Sequence, residues 1–285
     1  MFISPKNDYA FKKIFGSEDS KEILISFLNA IIYQERPLIQ DLTIANPYIP
    51  GKIVTLKDTY LDIKAILDNK TTVLIEMQLQ NMTAFDKRIQ YNLAKTYSNQ
   101  LVVGEKYYAL TPVISLRIMD FILFEETAKV INSFVFKEEE ELFNYKDKDL
   151  KMLFVELPRF QKKLEELETL TDKWLYFLKE APILQEIPQS MENIPAIKSA
   201  LNLAKEGNLT REELEQFEAR LTYIRDQEAT LDFLKNEVKA KIKAEGKAEG
   251  LAQGEIKGEI KSIIRLLKKK FGELGEIPEM LSNLS

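Results

Sequence analysis

Apolar and polar residues alternate with a period of two over residues 60–67. Leu61, Ile63, Ala65 and Leu67 fall on one face and Tyr60, Asp62, Lys64 and Ile66 on the other, which predicts a strand with one buried side. Asp68-Asn69-Lys70 supplies turn chemistry. Residues 71–80 then predict a second strand, with Leu74, Glu76, Gln78 and Gln80 opposite Val73, Ile75, Met77 and Leu79. This hairpin sits in a longer series of elements. Residues 1–16 predict a helical N-terminal turn anchored by Tyr9, Phe11, Ile14 and Phe15. Residues 17–33 carry Ile23, Leu24, Phe27, Leu28, Ile31 and Ile32 at helical spacing behind an N-cap cluster, and Arg36-Pro37 stops that helix. Residues 38–47 predict a strand, and Pro50-Gly51 marks the loop into the hairpin. A helix over 81–103 is followed by a strand over 110–124 that is apolar on both faces, as an interior position requires. Residues 129–137 and 151–157 predict two more strands, with Glu138 to Glu141 as a solvated loop between them.

From Pro158 the pattern turns helical. Leu164, Leu167 and Leu170, then Trp174, Leu175, Phe177 and Leu178, then Ile197, Leu201 and Leu203 form core stripes, and Trp174 reads as a packing anchor. Thr210-Arg211-Glu212-Glu213 resembles a capping box and opens a long helix. Gly246, Gly250, Gly254 and Gly258 recur every four residues, a spacing compatible with a helical stripe of small residues or with a flexible tether. Residues 260–285 close with a basic amphipathic helix, a turn and the apolar segment 277–284, a module suited to a homo-oligomer or to partner docking. The chain therefore divides into 1–157, a helical region 158–240 and a tail 241–285.

Asp62 and Glu76 bring chemistry into this pattern. Paired about the turn, Asp62 lies opposite residues 75–77, a cross-strand neighbour of Glu76 at about 5 Å. Two facing carboxylates in an apolar sheet favour a hard divalent cation between them, magnesium or manganese, able to polarise a phosphodiester.

Composition narrows the choice. The 285 residues contain no Cys and no His, which excludes Ser-His-Asp and Cys-His catalysis and the usual zinc sites. Hydrolysis would rest on carboxylates, lysines and a hard metal. The net charge of -5 is unlike that of a strongly basic nucleic-acid binder. Lys12, Lys13, Lys57, Lys64, Lys70, Lys87 and Arg88 nevertheless offer local basic character around the proposed site. No window has the composition of a membrane span and no signal-peptide core is present, so a soluble cytoplasmic protein is expected.

Asp62 followed by Glu76-Met77-Gln78, with the opening Ser4-Pro5-Lys6-Asn7-Asp8-Tyr9-Ala10-Phe11-Lys12-Lys13-Ile14-Phe15-Gly16 and the later Pro112-Val113-Ile114-Ser115, resembles the PD-(D/E)XK nuclease superfamily. The resemblance is closer to its transposase branch and the Rpn-like recombination-promoting nucleases, and it spans about the first half of the chain. It implies a restriction-endonuclease-like αβββαβ core with a mixed sheet, an α/β fold followed by a helical C-terminal region. It also implies a magnesium-dependent DNA endonuclease. Asp62, Glu76 and the Met77 carbonyl would hold the metal, and Asp62, Glu76, Gln78 and Lys64 would act in catalysis. Gln78 stands where the superfamily usually has Lys; it can orient a water but carries no charge, so Lys64 or Lys12 would supply the positive role. Lys12, Arg88 and Tyr91 would contact DNA, and Asp8, one helical turn from Lys12, could face the same site. The alternative is a weakly active or inactive DNA-binding or interaction protein on the nuclease fold.

Overall fold

The computed structural model describes residues 1–49, 59–82 and 84–271. The Pro50-Gly51 loop, Lys57 and segment 277–284 lie outside them. The chain divides into two compact units, Met1–Leu221 and Thr222 onward. Among the described residues no helix is long and apolar enough to cross a membrane.

Asn7 caps the first helix, α1 (Asp8–Phe15), its side-chain oxygen accepting from the Tyr9 and Ala10 amides at 2.9 and 3.4 Å. Gly16 ends it where a Cβ would stand 2.8 Å from the Lys12 carbonyl oxygen and 3.2 Å from the Ile63 side chain, so only glycine lets α1 close against the sheet. After a short 3-10 turn, α2 (Lys21–Tyr33) buries the apolar stripe read from its sequence. The first strands are β1 (Leu42–Ala45), β2 (Tyr48–Ile49), β3 (Thr59–Tyr60), β4 (Ile63–Leu67) and β5 (Thr72–Gln78). Then come α3 (Phe85–Ser98), β6 (Val113–Met119), β7 (Ile131–Val135) and β8 (Leu150–Glu156). A six-stranded mixed sheet results, in the order β1-β4-β5-β6-β8-β7, with β2 and β3 paired separately. β5, β6 and β8 run parallel, and the remaining pairs in the sheet are antiparallel. This is the expected αβββαβ order.

Two details differ from the sequence expectation. The strand predicted over 60–67 breaks at Asp62: Leu61 packs with Leu74, Leu93 and Val113, whereas Ile63 joins the main core on the opposite face. The break sets Asp62 just ahead of β4. In the hairpin turn the left-handed conformation falls on Lys70, at φ 66°, while Asn69 caps the turn by accepting from the Thr71 amide at 3.0 Å. Lys70 is thereby at the far end of the hairpin from Asp62.

The helices after β8 are α4 (Leu170–Glu180), α5 (Gln189–Glu192), α6 (Pro195–Leu203) and α7 (Arg211–Phe271). α4 and α6 share one core with α1, α2 and the Ile63, Val73 and Ile75 face of the sheet. Trp174 is a packing anchor, with ring centroids 5.7 Å from Phe27 and 5.8 Å from Phe177 and its indole N–H donating to Ser26 at 3.2 Å. α3 covers the other face through Phe85, Ile89 and Leu93. The Thr210 capping box forms, and the helix it starts runs unbroken through the glycine repeat.

Buried Asn29 on α2 clips the strand approach into place. Its amide donates to the Ile39 carbonyl at 3.0 Å and its oxygen accepts from the Ile39 amide at 2.9 Å. Asn29→Ala removes both bonds and should lower stability by about 2 kcal/mol, read as a shift of the urea midpoint.

Candidate active site

The break before β4 and the C-terminal end of β5 bring acidic side chains together. Ile63 pairs with Ile75, so continuing the register puts Asp62 opposite Glu76. Asp62 turns back along the sheet and accepts from the Met77 amide at 2.8 Å. The N–H and C=O of one strand residue point the same way, so the Met77 carbonyl lies on the same strand edge as Asp62. From α1, Asp8 reaches the Asp62 carboxyl, and Lys12 lies 2.9 Å from Asp8 and 3.8 Å from Asp62. Burial pushes the Asp62 carboxyl up to about 7; the Met77 amide opposes this, and the neighbouring charges of Asp8 and Glu76 add to it. Burial acts the same way on Asp8, but the Lys12 ammonium outweighs it and holds that carboxyl below its ordinary value.

The opening Lys6-Asn7-Asp8 run builds this corner. Lys6 pairs at 2.7 Å with Asp120, just beyond β6, Asn7 caps α1, and Asp8 is thereby presented to Asp62.

Glu76 lies on the α3 face and meets two guanidiniums. Arg117, its in-register partner on β6, is completely buried and ion-pairs with Oε1. Arg88 of α3 comes within 3.7 Å of Oε2, and Asn92 donates to Oε1 at 3.4 Å. Burial pulls the Arg117 pKa down and Glu76 pulls it back up. Around this pair, Arg88 Nε, Asn92 Oδ1, Thr96 Oγ1, Ser115 Oγ and the Arg117 Nε and Nη2 make no hydrogen bond among the described residues. β6 is buried along its length as expected of an interior strand, but Ser115 and Arg117 set a polar patch within its otherwise apolar contact with α3.

Gln78 uses both ends of its amide. Its nitrogen donates to the Gln80 carbonyl at 3.0 Å and its oxygen accepts from Arg88 Nη2 at 2.8 Å. It thus holds the Arg88 guanidinium beside Glu76. Among the described residues Lys64 makes no ion pair, and burial alone lowers its pKa. Tyr91 is exposed and stacks under the Lys95 ammonium at 5.7 Å. The structure thus joins Asp62, Glu76, Met77, Gln78, Arg88 and Lys12 in one cluster and leaves Lys64 and Tyr91 outside its contacts. Arg117 and Asn92 were not anticipated. The available signal was a lone charge within Val-Ile-Ser-Leu-Arg-Ile-Met, which cannot be buried without a partner.

The donor set is all oxygen, with facing Asp8 and Asp62 carboxyls whose mutual repulsion a cation would relieve, so its chemistry fits a hard divalent ion. Among the described residues no group of three or more acidic side chains is already arranged to hold a metal.

A family model described as PD-(D/E)XK nuclease family transposase matches residues 5–233. No curated protein and no solved structure gives a significant match.

Proposed function

The chain belongs to the PD-(D/E)XK nuclease family transposases, and on that premise we propose that it is a metal-dependent endonuclease that hydrolyses phosphodiester bonds in DNA. The observation that carries the proposal is the half-buried encounter of Asp62 with Asp8, one strand away from Glu76, at the end of β5. Asp62, Glu76 and the Met77 carbonyl are the proposed ligands of magnesium or manganese, with Asp8 as an added donor. Bound there, the ion would polarise the phosphodiester and make a water more acidic. The chain's own side chains do the rest. Arg88, steered by Gln78, carries the positive charge that Gln78 lacks and faces the charge developing on the phosphate. Lys12 offsets the charge of the Asp8 and Asp62 pair, and Arg117 fixes the rotamer of Glu76.

One observation favours a second reading, a DNA-binding protein of little or no activity. Arg117 and Arg88 occupy the oxygens of Glu76 and compete with any cation for them. Plasmid nicking separates the two. Under the first reading nicking occurs with magnesium or manganese and stops in EDTA, and Arg88→Ala slows it about 10²-fold. DNA binding without nicking under any ion would establish the second.

A further inference from the structure

The first turns of α7 are locked onto α1. Glu213 pairs with Lys13 and accepts a hydrogen bond from Tyr9, and Phe217 is buried in the core. Gln216 and Arg220, one helical turn apart, then face α1 across a pocket of about 510 Å³ lined also by Asp8, Tyr9, Lys12 and Lys13. Lys12, Lys13 and Arg220 bring three cations to this wall, against the carboxylates of Asp8 and of the Glu213 that holds Lys13, although the whole chain carries a net charge of -5. The pocket adjoins the candidate catalytic corner. Asp8, which feels the charge of Arg220, also reaches Asp62, and Lys12 lies within ion-pair distance of both carboxyls.

We infer that this pocket is a phosphate subsite for the nucleic-acid backbone beside the reacting bond, completed by the start of α7. Arg220 is its phosphate contact and Gln216 its neutral hydrogen-bond donor. The inference rests on the endonuclease reading and extends it to two residues on an element outside the αβββαβ core. Arginine suits the role because its planar fork matches two phosphate oxygens. Both residues are exposed, so replacing them spares the core. Lys13 and Tyr9 are engaged with Glu213 and set the wall rather than the ligand.

The test is binding of a short fluorescein-labelled duplex in calcium across a salt series, paired with plasmid nicking in magnesium. Arg220→Ala should weaken binding and reduce the slope of log K against log salt by about 0.9, the loss of one phosphate contact. Arg220→Lys should keep the slope, and Gln216→Ala should weaken binding without changing it. Arg211→Ala, an exposed charge on the same helix paired with Glu215 at 3.2 Å, should leave both unchanged. In nicking, Arg220→Ala should raise KM more than it lowers kcat. If the wild type nicks but Arg220→Ala keeps its slope and affinity, the subsite is refuted and the endonuclease stands. If the wild type never nicks yet its binding depends on Arg220, the endonuclease reading falls and the subsite stands. A wild type that binds no duplex refutes both.

Discussion

Arg117→Met should destabilise the protein by about 3–5 kcal/mol, an effect comparable to losing much of a small domain's stability. The substitution nearly conserves volume, so the cost is electrostatic rather than steric. Glu76, almost fully buried, would keep only the more distant Arg88 as a charge partner. Removing both charges should recover most of the loss, since a buried ion pair replaced whole by apolar groups is often close to neutral. A double-mutant cycle of Arg117→Met and Glu76→Met, followed by urea unfolding, measures the coupling. A cost under about 1 kcal/mol for Arg117→Met would mean that water already shields Glu76.

Asp62→Asn should abolish nicking while making the metal-free protein more stable at pH 8. The folded carboxyl titrates near 7 against an ordinary value of 3.8, so the folded state holds the proton more tightly than the unfolded one. For this group, stability is greatest below pH 4 and declines as pH rises through 7. At pH 8 the penalty reaches at most about 4 kcal/mol. Asparagine removes the charge and keeps an oxygen for the Met77 amide. The gain over wild type should therefore be near zero at pH 4 and grow to its full size by pH 8, as followed by thermal unfolding in EDTA. Adding magnesium should stabilise the wild type and leave Asp62→Asn unmoved. Equal stability of the two proteins at pH 8 would place Asp62 in a solvated setting and remove the case for a cation there.

The hairpin was legible because a period of two leaves one register that buries Ile63, Ala65, Val73 and Ile75 together, and that register brings Asp62 to Glu76. The break at Asp62 was not legible, since the alternation of residue types continues through it while the backbone bends. Arg117 was hidden for a related reason. A strand buried on both faces has no periodic slot that announces a charge, and its partner lies 41 positions away across a parallel pairing. The capping box announced the start of α7 from local chemistry alone, whereas the approach of Arg220 to α1 depends on tertiary packing that no local pattern encodes. The stripes of α4 and α6 predicted helices but not that they would complete the core begun by α1 and α2.

β7 lies at one edge of the six-stranded sheet, with Phe134, Val135 and the following Phe136 exposed. An uncovered apolar edge is a template for adding another chain. Past it the backbone folds back, with the Tyr145 amide donating to the Phe136 carbonyl at 3.0 Å, and Glu138 to Glu141 crowd the tip. Four carboxylates there act as gatekeepers, making end-on approach of a second edge repulsive. Colloidal stability is thus guarded by charge rather than by cover, and high salt would lower that guard before it disturbed the core.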